Sequence, residues 1–225
     1  MKTSNQIVLL KRYLFLCVGL TIMAFGVGFS IKAGLGTSPI SSVPYVLSMF
    51  TPLTVGTASI AMHCVFIVLQ ILLLRSRYDP IQLMQLPVAL IFGVLTDGAM
   101  WVLQGVSVSN YFLRWVLCAV GIFLVGLGVS FEVTANVVTL AGEGMVLAVC
   151  KAFSTPFHNT KVGFDVTLVT VAFALSLCFL GELAGVREGT VAAAILVGLI
   201  AKRVSGGVQR AAQWWLKESP EPDCG

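Results

Sequence analysis

Six apolar runs, separated by short polar stretches, constrain this chain more than any other feature of its sequence. A helix of about 20 apolar residues crosses the hydrocarbon core of a bilayer, and most of these runs approach that length. The chain is 57% hydrophobic and 11% charged, with a mean hydropathy of +0.95, so it has too little polar surface to cover a soluble core. We therefore predict an all-α polytopic membrane protein with spans at residues 13–31, 54–74, 81–103, 112–131, 162–180 and 189–201.

The first run follows a short basic lead, residues 1–11, and we interpret it as a spanning helix. A cleaved signal peptide is the alternative interpretation. The run is long for a signal peptide, and no convincing small-x-small cleavage site follows it.

Two further apolar segments are too short to cross the membrane. Residues 39–50 follow the small-residue turn GLGTSP, and at 1.5 Å per residue they extend roughly 18 Å against about 30 Å of hydrocarbon. Thr37 or Ser38 is the expected cap of this helix, and Thr139 is the expected cap of the second short helix, residues 140–153. Such segments suit half-helices that re-enter the membrane while buried against protein.

The two short helices lie in halves of the chain that resemble each other. Four residues of the first half match four of the second at a constant offset of 102: Gly19, Gly26, Ala33 and Thr37 with Gly121, Gly128, Ala135 and Thr139. Later matches keep the same order at offsets of 103 to 107, and they include Gly56 with Gly163 and Gly93 with Gly198. We therefore predict two internal repeats, at residues 12–104 and 112–208.

The positions of the basic residues discriminate between two span counts. If both short helices re-enter, there are six spans, and all but Lys32, Arg114 and Arg187 of the 14 Lys and Arg residues face the cytoplasm. If both cross, there are eight spans in parallel repeats, and Arg75 and Arg77 move to the outside while Arg114 moves to the inside. The positive-inside rule therefore favours six spans by a small margin, with both termini cytoplasmic.

Six spans carry a consequence for function. Three spans per repeat invert the second copy, so the two short helices would approach the midplane from opposite faces. Many secondary transporters bind their substrate between such inverted repeats, at the amino-terminal ends of broken helices. Beyond the second repeat, residues 209–225 are predicted to form a disordered cytoplasmic tail.

Hydroxyl groups near the two short helices are candidates for binding a solute. Thr37, Ser38, Ser41 and Ser42 belong to the first copy, and Thr139 belongs to the second. Together with free backbone N–H groups, they would suit a polar or anionic group of a substrate. Capping and interhelical hydrogen bonds are the alternative role of these residues.

Four carboxylates are candidates for binding the substrate, a coupling proton or a coupling cation. An ionised carboxylate inside a span costs about 2.5 to 3.5 kcal/mol, so such groups usually face the bundle interior, a partner or a water-filled cavity. Glu143 is the strongest candidate, since it lies between two glycines at the start of a short helix. Asp97 and Glu132 can equally lie at the membrane interfaces, and Asp165 can simply stabilise the start of a helix.

Several classes of function are not supported by the sequence. The chain has two histidines, His63 and His158, without an HExxH motif, a nucleophile paired with a base, or a nucleotide-binding motif. We expect no enzyme activity, no cofactor and no metal, and we interpret His63 as a hydrogen-bonded packing residue. The net charge of +4 comes from residues at segment ends and not from a dense patch, so we expect no nucleic acid partner.

The motif LGTSP within GLGTSP, a V-G pair opening a later span, and a G-x-x-x-D sequence from Gly93 to Asp97 together resemble the YczE/YyaS/YitT group of bacterial membrane proteins. The resemblance is nearer to the YczE branch and covers residues 12–205. It implies a multi-pass protein of the bacterial inner (plasma) membrane, in a group loosely regarded as transporter-like.

Two hypotheses follow from these observations. The first is a secondary transporter or permease for a small polar solute that works by alternating access in the lipid bilayer. The alternative is a non-transporting membrane protein that regulates or assembles another complex. A homo-oligomer or a membrane partner remains open in both hypotheses.

Overall fold

The computed structural model describes residues 2–216. Within this range the chain forms eight α-helices, two short 3₁₀ turns at Arg75–Arg77 and Pro80–Met84, and no strand. The helices, numbered in chain order, are α1 Lys2–Ala33, α2 Pro39–Phe50, α3 Val55–Leu74, α4 Gln85–Val102, α5 Tyr111–Ala135, α6 Ala141–Phe153, α7 Phe157–Leu180 and α8 Glu188–Leu216.

Six of these helices are long and apolar enough to cross a membrane, namely α1, α3, α4, α5, α7 and α8. The other two, α2 and α6, contain only 12 and 13 residues and cannot span the hydrocarbon core untilted. The prediction of an all-α membrane protein with six spans and two short helices is confirmed.

Three helix boundaries differ clearly from the prediction. Helix α1 begins at Lys2, within the lead that we expected before residue 13. Helix α7 begins at Phe157, inside a segment that we expected to be a loop before residue 162. Helix α8 continues to Leu216, so residues 209–216 of the predicted disordered tail are helical. The rest of the predicted tail, residues 217–225, lies outside the described residues.

The antiparallel pair α1 and α5 forms the most extensive helix contact in the described structure. Gly19 lies against Gly128, and Gly26 lies against Gly121, so the two helices run in opposite directions. A Cβ atom on Gly26 would lie 2.8 Å from the carbonyl oxygen of Gly121 and 2.7 Å from the Val125 nitrogen. The absence of side chains at this crossing therefore allows the two backbones to touch.

The α1–α5 pair defines the two faces of the bundle. On the Lys32 face, where α1 and α4 end, the Lys32 Nζ donates a hydrogen bond to the Gln104 carbonyl oxygen at 3.4 Å. On the Arg12 face, Arg12 Nη1 donates to the carbonyl oxygen of Ala135, the last residue of α5, at 3.4 Å. Helices α3 and α8 begin at the Lys32 face and run towards the Arg12 face, whereas α7 runs in the opposite direction.

Each short helix packs on a long helix from the other half of the chain. Helix α2 packs against α7, and α6 packs against α3, around a buried cluster that includes Val46, Phe66, Ala141 and Ala172. Helix α3 also packs against α4, whereas α7 and α8 make almost no contact with each other. The short helices thus join the two halves of the chain, while one pair of long helices stays apart.

Candidate functional site

The segment before α2 turns from the Lys32 face into the interior of the bundle. Gly34 and Gly36 adopt positive φ angles of 66° and 95°, and a residue with a side chain would adopt these angles only at a cost in free energy. The Leu35 carbonyl oxygen accepts a hydrogen bond from Gly189 N at 2.8 Å, which anchors this turn to the start of α8. Helix α2 then runs back outward and ends at Phe50, which stacks on Phe179 near the end of α7 at 4.5 Å between ring centroids.

The segment before α6 makes the corresponding turn from the opposite face. After α5 ends, Asn136 adopts the left-handed conformation, with φ at 48°, and the chain enters the interior before α6 begins. The far end of α6 lies at the Arg12 face, since Lys151 Nζ donates a hydrogen bond to the Arg77 carbonyl oxygen at 3.0 Å. Helices α2 and α6 therefore run from the interior to opposite faces.

The amino-terminal turns of α2 and α6 touch each other in the interior. Ile40, the second residue of α2, packs against Gly142, the second residue of α6. A Cβ atom on Gly142 would lie 3.3 Å from Ile40 Cγ1 and even nearer to Ile40 Cδ1. The two helix N-termini, which carry partial positive charge and free N–H groups, consequently meet near the middle of the bundle.

The four predicted hydroxyl groups of the first copy are all buried around the start of α2. Ser38 Oγ donates a hydrogen bond to Ser41 Oγ at 3.1 Å, and Ser42 Oγ donates to the Pro39 carbonyl oxygen at 2.6 Å. Ser38 occupies the N-cap position, but its side chain makes no capping bond to the backbone. Thr37 Oγ1 is buried without a hydrogen-bond partner in the chain.

The start of α6 is held by Glu132, a carboxylate from the end of α5. Glu132 is 1% exposed, and its Oε1 accepts a hydrogen bond from Leu140 N at 2.5 Å. Its second oxygen, Oε2, is buried and has no hydrogen-bond partner. The prediction that Thr139 caps this helix is wrong, because Leu140 holds the N-cap position and the Glu132 carboxylate accepts the backbone hydrogen bond there.

A second predicted carboxylate, Glu143, lies at the same helix start as Glu132. Glu143 is partly buried in the first turn of α6, the same turn whose N-cap residue, Leu140, donates its backbone hydrogen bond to Glu132. Lys161 on α7 attracts both glutamates and forms a salt bridge with Asp165 at 2.7 Å. We call the two glutamates at the start of α6, together with the Lys161–Asp165 ion pair of α7, the α6 acid cluster.

The fourth carboxylate, Asp97, lies apart from the α6 acid cluster. Its oxygens accept hydrogen bonds from Thr54 Oγ1 at 2.6 Å and from Gly56 N at 2.7 Å. Asp97 therefore ties the end of α4 to the start of α3, beside an open cleft of about 330 Å³ near the Lys32 face.

Sequence reasoning missed two buried glutamines that contact the first turn of α6. Gln70 Nε2 donates hydrogen bonds to the Ala141 carbonyl oxygen at 3.1 Å and to Gln85 Oε1 at 3.0 Å. Gly144 leaves the space that these amides occupy, since a Cβ there would lie 3.0 Å from Gln70 Oε1. That oxygen is buried without a partner. The available signal was an amide in the middle of the apolar sequence VFIVLQILLL.

His63 packs as expected but without the predicted hydrogen bond at one ring nitrogen. The buried imidazole lies edge-on to Phe66 and Phe92, with ring centroids 6.2 Å apart in each pair. Its Nδ1 has no partner. Within residues 2–216, no three His, Cys, Asp or Glu side chains converge as a metal site would require.

The fold and this site define a polytopic helical membrane protein in which two short helices meet at their amino-terminal ends. Residues 10–206 match the family of unknown function DUF6198, and the chain belongs to that family.

Three bacterial relatives are similar over most of the chain. Identity is 27% over 170 residues to the uncharacterized protein YyaS of Bacillus subtilis (strain 168), covering 75% of this chain and 76% of the relative. Identity to the uncharacterized membrane protein YczE of the same organism is 27% over 193 residues, covering 85% of this chain and 84% of the relative. An uncharacterized protein of Haemophilus influenzae is 26% identical over 193 residues, covering 84% of this chain and 81% of the relative. The resemblance to the YczE and YyaS proteins is confirmed, and no solved structure matches.

Proposed function

We propose that this protein is a secondary transporter for a small polar solute, with both termini on the cytoplasmic side of the bacterial inner membrane. The observation that carries the proposal is the contact between the N-termini of α2 and α6 inside the bundle. Buried polar oxygens without partners lie at both ends of this junction, namely Thr37 Oγ1 beside α2 and Glu132 Oε2 beside α6. Half-helix N-termini lined by such groups are the usual substrate site of transporters with broken helices.

The helix contacts support an inverted repeat. Gly19 of α1 contacts Gly128 of α5. At the offset of 102, Gly19 matches Gly121 and Gly128 matches Gly26, and Gly121 and Gly26 are also in contact. The same exchange converts the contact of α2 with α7 into the contact of α6 with α3. A two-fold axis in the membrane plane would produce this pattern of contacts.

One departure from this symmetry suggests how the two faces would open in turn. In the first half, Gly56 of α3 packs on Gly93 of α4, since a Cβ on Gly93 would lie 2.8 Å from the Gly56 carbonyl oxygen. At the matching glycines of the second half, Gly163 of α7 and Gly198 of α8, an added Cβ would meet no atom of another helix within 4 Å. We propose that the opposite state closes α7 onto α8 at these glycines and parts α3 from α4.

Cysteine cross-linking in native membranes tests this exchange. In a chain without its own cysteines, the pair Gly163→Cys and Gly198→Cys is expected to react with a short bifunctional thiol reagent, because the alternate state brings the two helices together. The pair Thr54→Cys and Asp97→Cys serves as a positive control, since these side chains are in contact now. The measurement is the yield of cross-linked protein on denaturing gels after proteolysis between the helices.

The pair Val162→Cys and Leu199→Cys is the matched negative control. Both residues are exposed and lie one position away from the glycines, on other faces of the same helices. Cross-linking of the glycine pair above this control supports alternating access. Equal yields from both pairs, with the positive control reacting, would contradict it and favour a protein that does not transport.

The orientation in the membrane has a separate test. Single cysteines at Asn110 and Leu183, in loops at the Lys32 face, are expected to react with an impermeant maleimide in spheroplasts. Cysteines at Ser76 and Ser154, in loops at the Arg12 face, are expected to react only after the membrane is permeabilised. The physical reason is the excess of Lys and Arg at the Arg12 face. The reverse labelling pattern would contradict cytoplasmic termini.

The proposal assigns no catalysis and no ATP hydrolysis to this chain. The solute would meet hydroxyl and backbone donors at the start of α2 and acids at the start of α6. Transport screens with small polar solutes should therefore compare the wild-type protein with Glu143→Gln.

A further inference from the structure

We propose that Glu132 and Glu143 share a single exchangeable proton, and that this pair couples proton movement to solute transport. The proton-sharing part depends only on the site, whereas the coupling part rests on the proposed transport function.

The start of α6 can stabilise one negative charge but not two. The Leu140 N–H group already donates to Glu132 Oε1, and the helix N-terminus favours an anion there. Glu143 lies in the first turn of α6, at the position from which a side chain reaches back to the N-cap N–H group, and Glu132 already accepts from that group at Leu140. Two carboxylates at one buried helix start cannot both ionise without large repulsion. The unpartnered Glu132 Oε2 is the oxygen that a proton on either carboxyl group would satisfy. One bound proton consequently resolves both the repulsion and the missing hydrogen bond.

The neighbouring helices supply little positive charge to offset a second ionised glutamate. From α7, Lys161 attracts both glutamates, but it already forms a salt bridge with Asp165. Helices α3 and α4 contribute the neutral amides of Gln70 and Gln85 to the first turn of α6.

The remaining cations near the cluster are engaged elsewhere or exposed. Arg12 of α1 donates to the Ala135 carbonyl oxygen, and Lys151 of α6 donates to the Arg77 carbonyl oxygen. Lys202 of α8 lies in a separate cleft beside Ser130 and is exposed. Lys161 is therefore the cation that responds to the charge of the glutamate pair.

Release of the proton would change the partner of Lys161. With the proton bound, the pair carries one negative charge and Lys161 stays with Asp165, as observed. When the proton leaves to water on the Arg12 face, a second carboxylate forms and attracts Lys161 away from Asp165. Lys161 lies two residues before Gly163 on α7, so this change acts on the helix that would close onto α8.

Infrared spectroscopy of the purified full-length protein in lipid, without any solute, tests the shared proton. The C=O stretch of a protonated carboxylic acid is absent from a carboxylate, and its loss during a pH titration reports release of the proton. Wild-type protein is expected to show one such buried group at neutral pH. Glu132→Gln and Glu143→Gln are each expected to abolish the band, because the remaining glutamate can ionise alone. Asp79→Asn, at an exposed carboxylate, should leave the band intact.

If a glutamine variant does not fold, Lys161→Met provides a second test of the same infrared band. Removing the cation should raise the pH at which the band disappears by about one unit or more, since an opposite charge nearby stabilises the ionised form. Lys151→Met, which removes an exposed lysine from the other end of α6, should leave that pH unchanged.

Three results would overturn the shared proton: no band in the wild type, a band that survives in either glutamine variant, or a band that appears only when sodium is replaced by choline. The last result would indicate a cation site. Because no solute is present, failure here leaves the cross-linking test of transport unaffected.

Discussion

Gly26→Ala is expected to lower the thermal stability of the purified protein markedly, whereas Gly98→Ala should leave it unchanged or slightly higher. A methyl group on Gly26 would press on backbone atoms of α5, the Gly121 carbonyl oxygen at 2.8 Å and the Val125 nitrogen at 2.7 Å. Backbone cannot move aside as a side chain can, so α1 and α5 must separate. Overpacking of this kind costs about 1 to 3 kcal/mol, occasionally more.

Gly98 provides a matched control on another helix. It lies in α4, is exposed, and has nothing within 4 Å of the position of a new Cβ. Alanine there gains helix propensity, worth up to about 1 kcal/mol. Melting curves followed by circular dichroism in one detergent would compare the two variants. Equal melting temperatures would contradict the close approach of α1 and α5 at Gly26.

Gly142→Ala is expected to be destabilising, but less so than Gly26→Ala, because the new methyl group meets a side chain and not backbone; Ile40→Val is expected to rescue it. The new methyl group would collide with Ile40 Cδ1, the far end of a flexible side chain. Valine lacks that carbon atom, so the double variant restores space at the junction of α2 and α6. Ile40→Val alone should cost only about 0.5 to 1.5 kcal/mol, as is typical for this substitution.

The double-mutant cycle measures whether the two half-helices touch. We expect the effects on stability to be non-additive by about 1 kcal/mol or more, in the direction of rescue. Gly98→Ala combined with Ile40→Val should be additive, because these residues have no contact. Additivity for Gly142 and Ile40 would contradict the junction on which the proposed substrate site depends.

Local patterns in the sequence accounted for most of the helices. The bounds predicted for α2, residues 39–50, agree with the structure, because a proline opens this helix and Thr51–Pro52 follow it. The lengths of the apolar runs predicted six spans, because whether a segment can cross a bilayer depends on the length and polarity of that segment alone. The beginnings of α1 and α7 and the end of α8 were wrong, since charged residues such as Lys11, Lys161 and Arg210 continue helices that we expected to stop at the membrane surface.

The candidate site was only partly accessible to the same reasoning. Glu143 and the α2 hydroxyl groups were identified because they follow small-residue turns at the starts of short helices. The sequence did not identify the neighbours of Glu143, because Glu132 lies on α5 and Lys161 lies on α7. Thr139 was assigned as a cap on local spacing, but Glu132 accepts the bond from Leu140 N across a turn of eight residues.

Polarity and chain order alone were enough to establish a membrane protein with six crossings, two half-length helices and matched glycines in its two halves. These features depend on transfer of each segment from water to lipid and on local backbone preference, which neighbouring residues control. Packing determined which polar groups share a site: Glu132 of α5 accepts a hydrogen bond at the start of α6, where Glu143 lies, whereas Asp97 ties α4 to α3 elsewhere. It also determined that Gly56 and Gly93 touch while Gly163 and Gly198 do not. Such contacts join segments tens of residues apart, and their geometry depends on how all the helices fit at once.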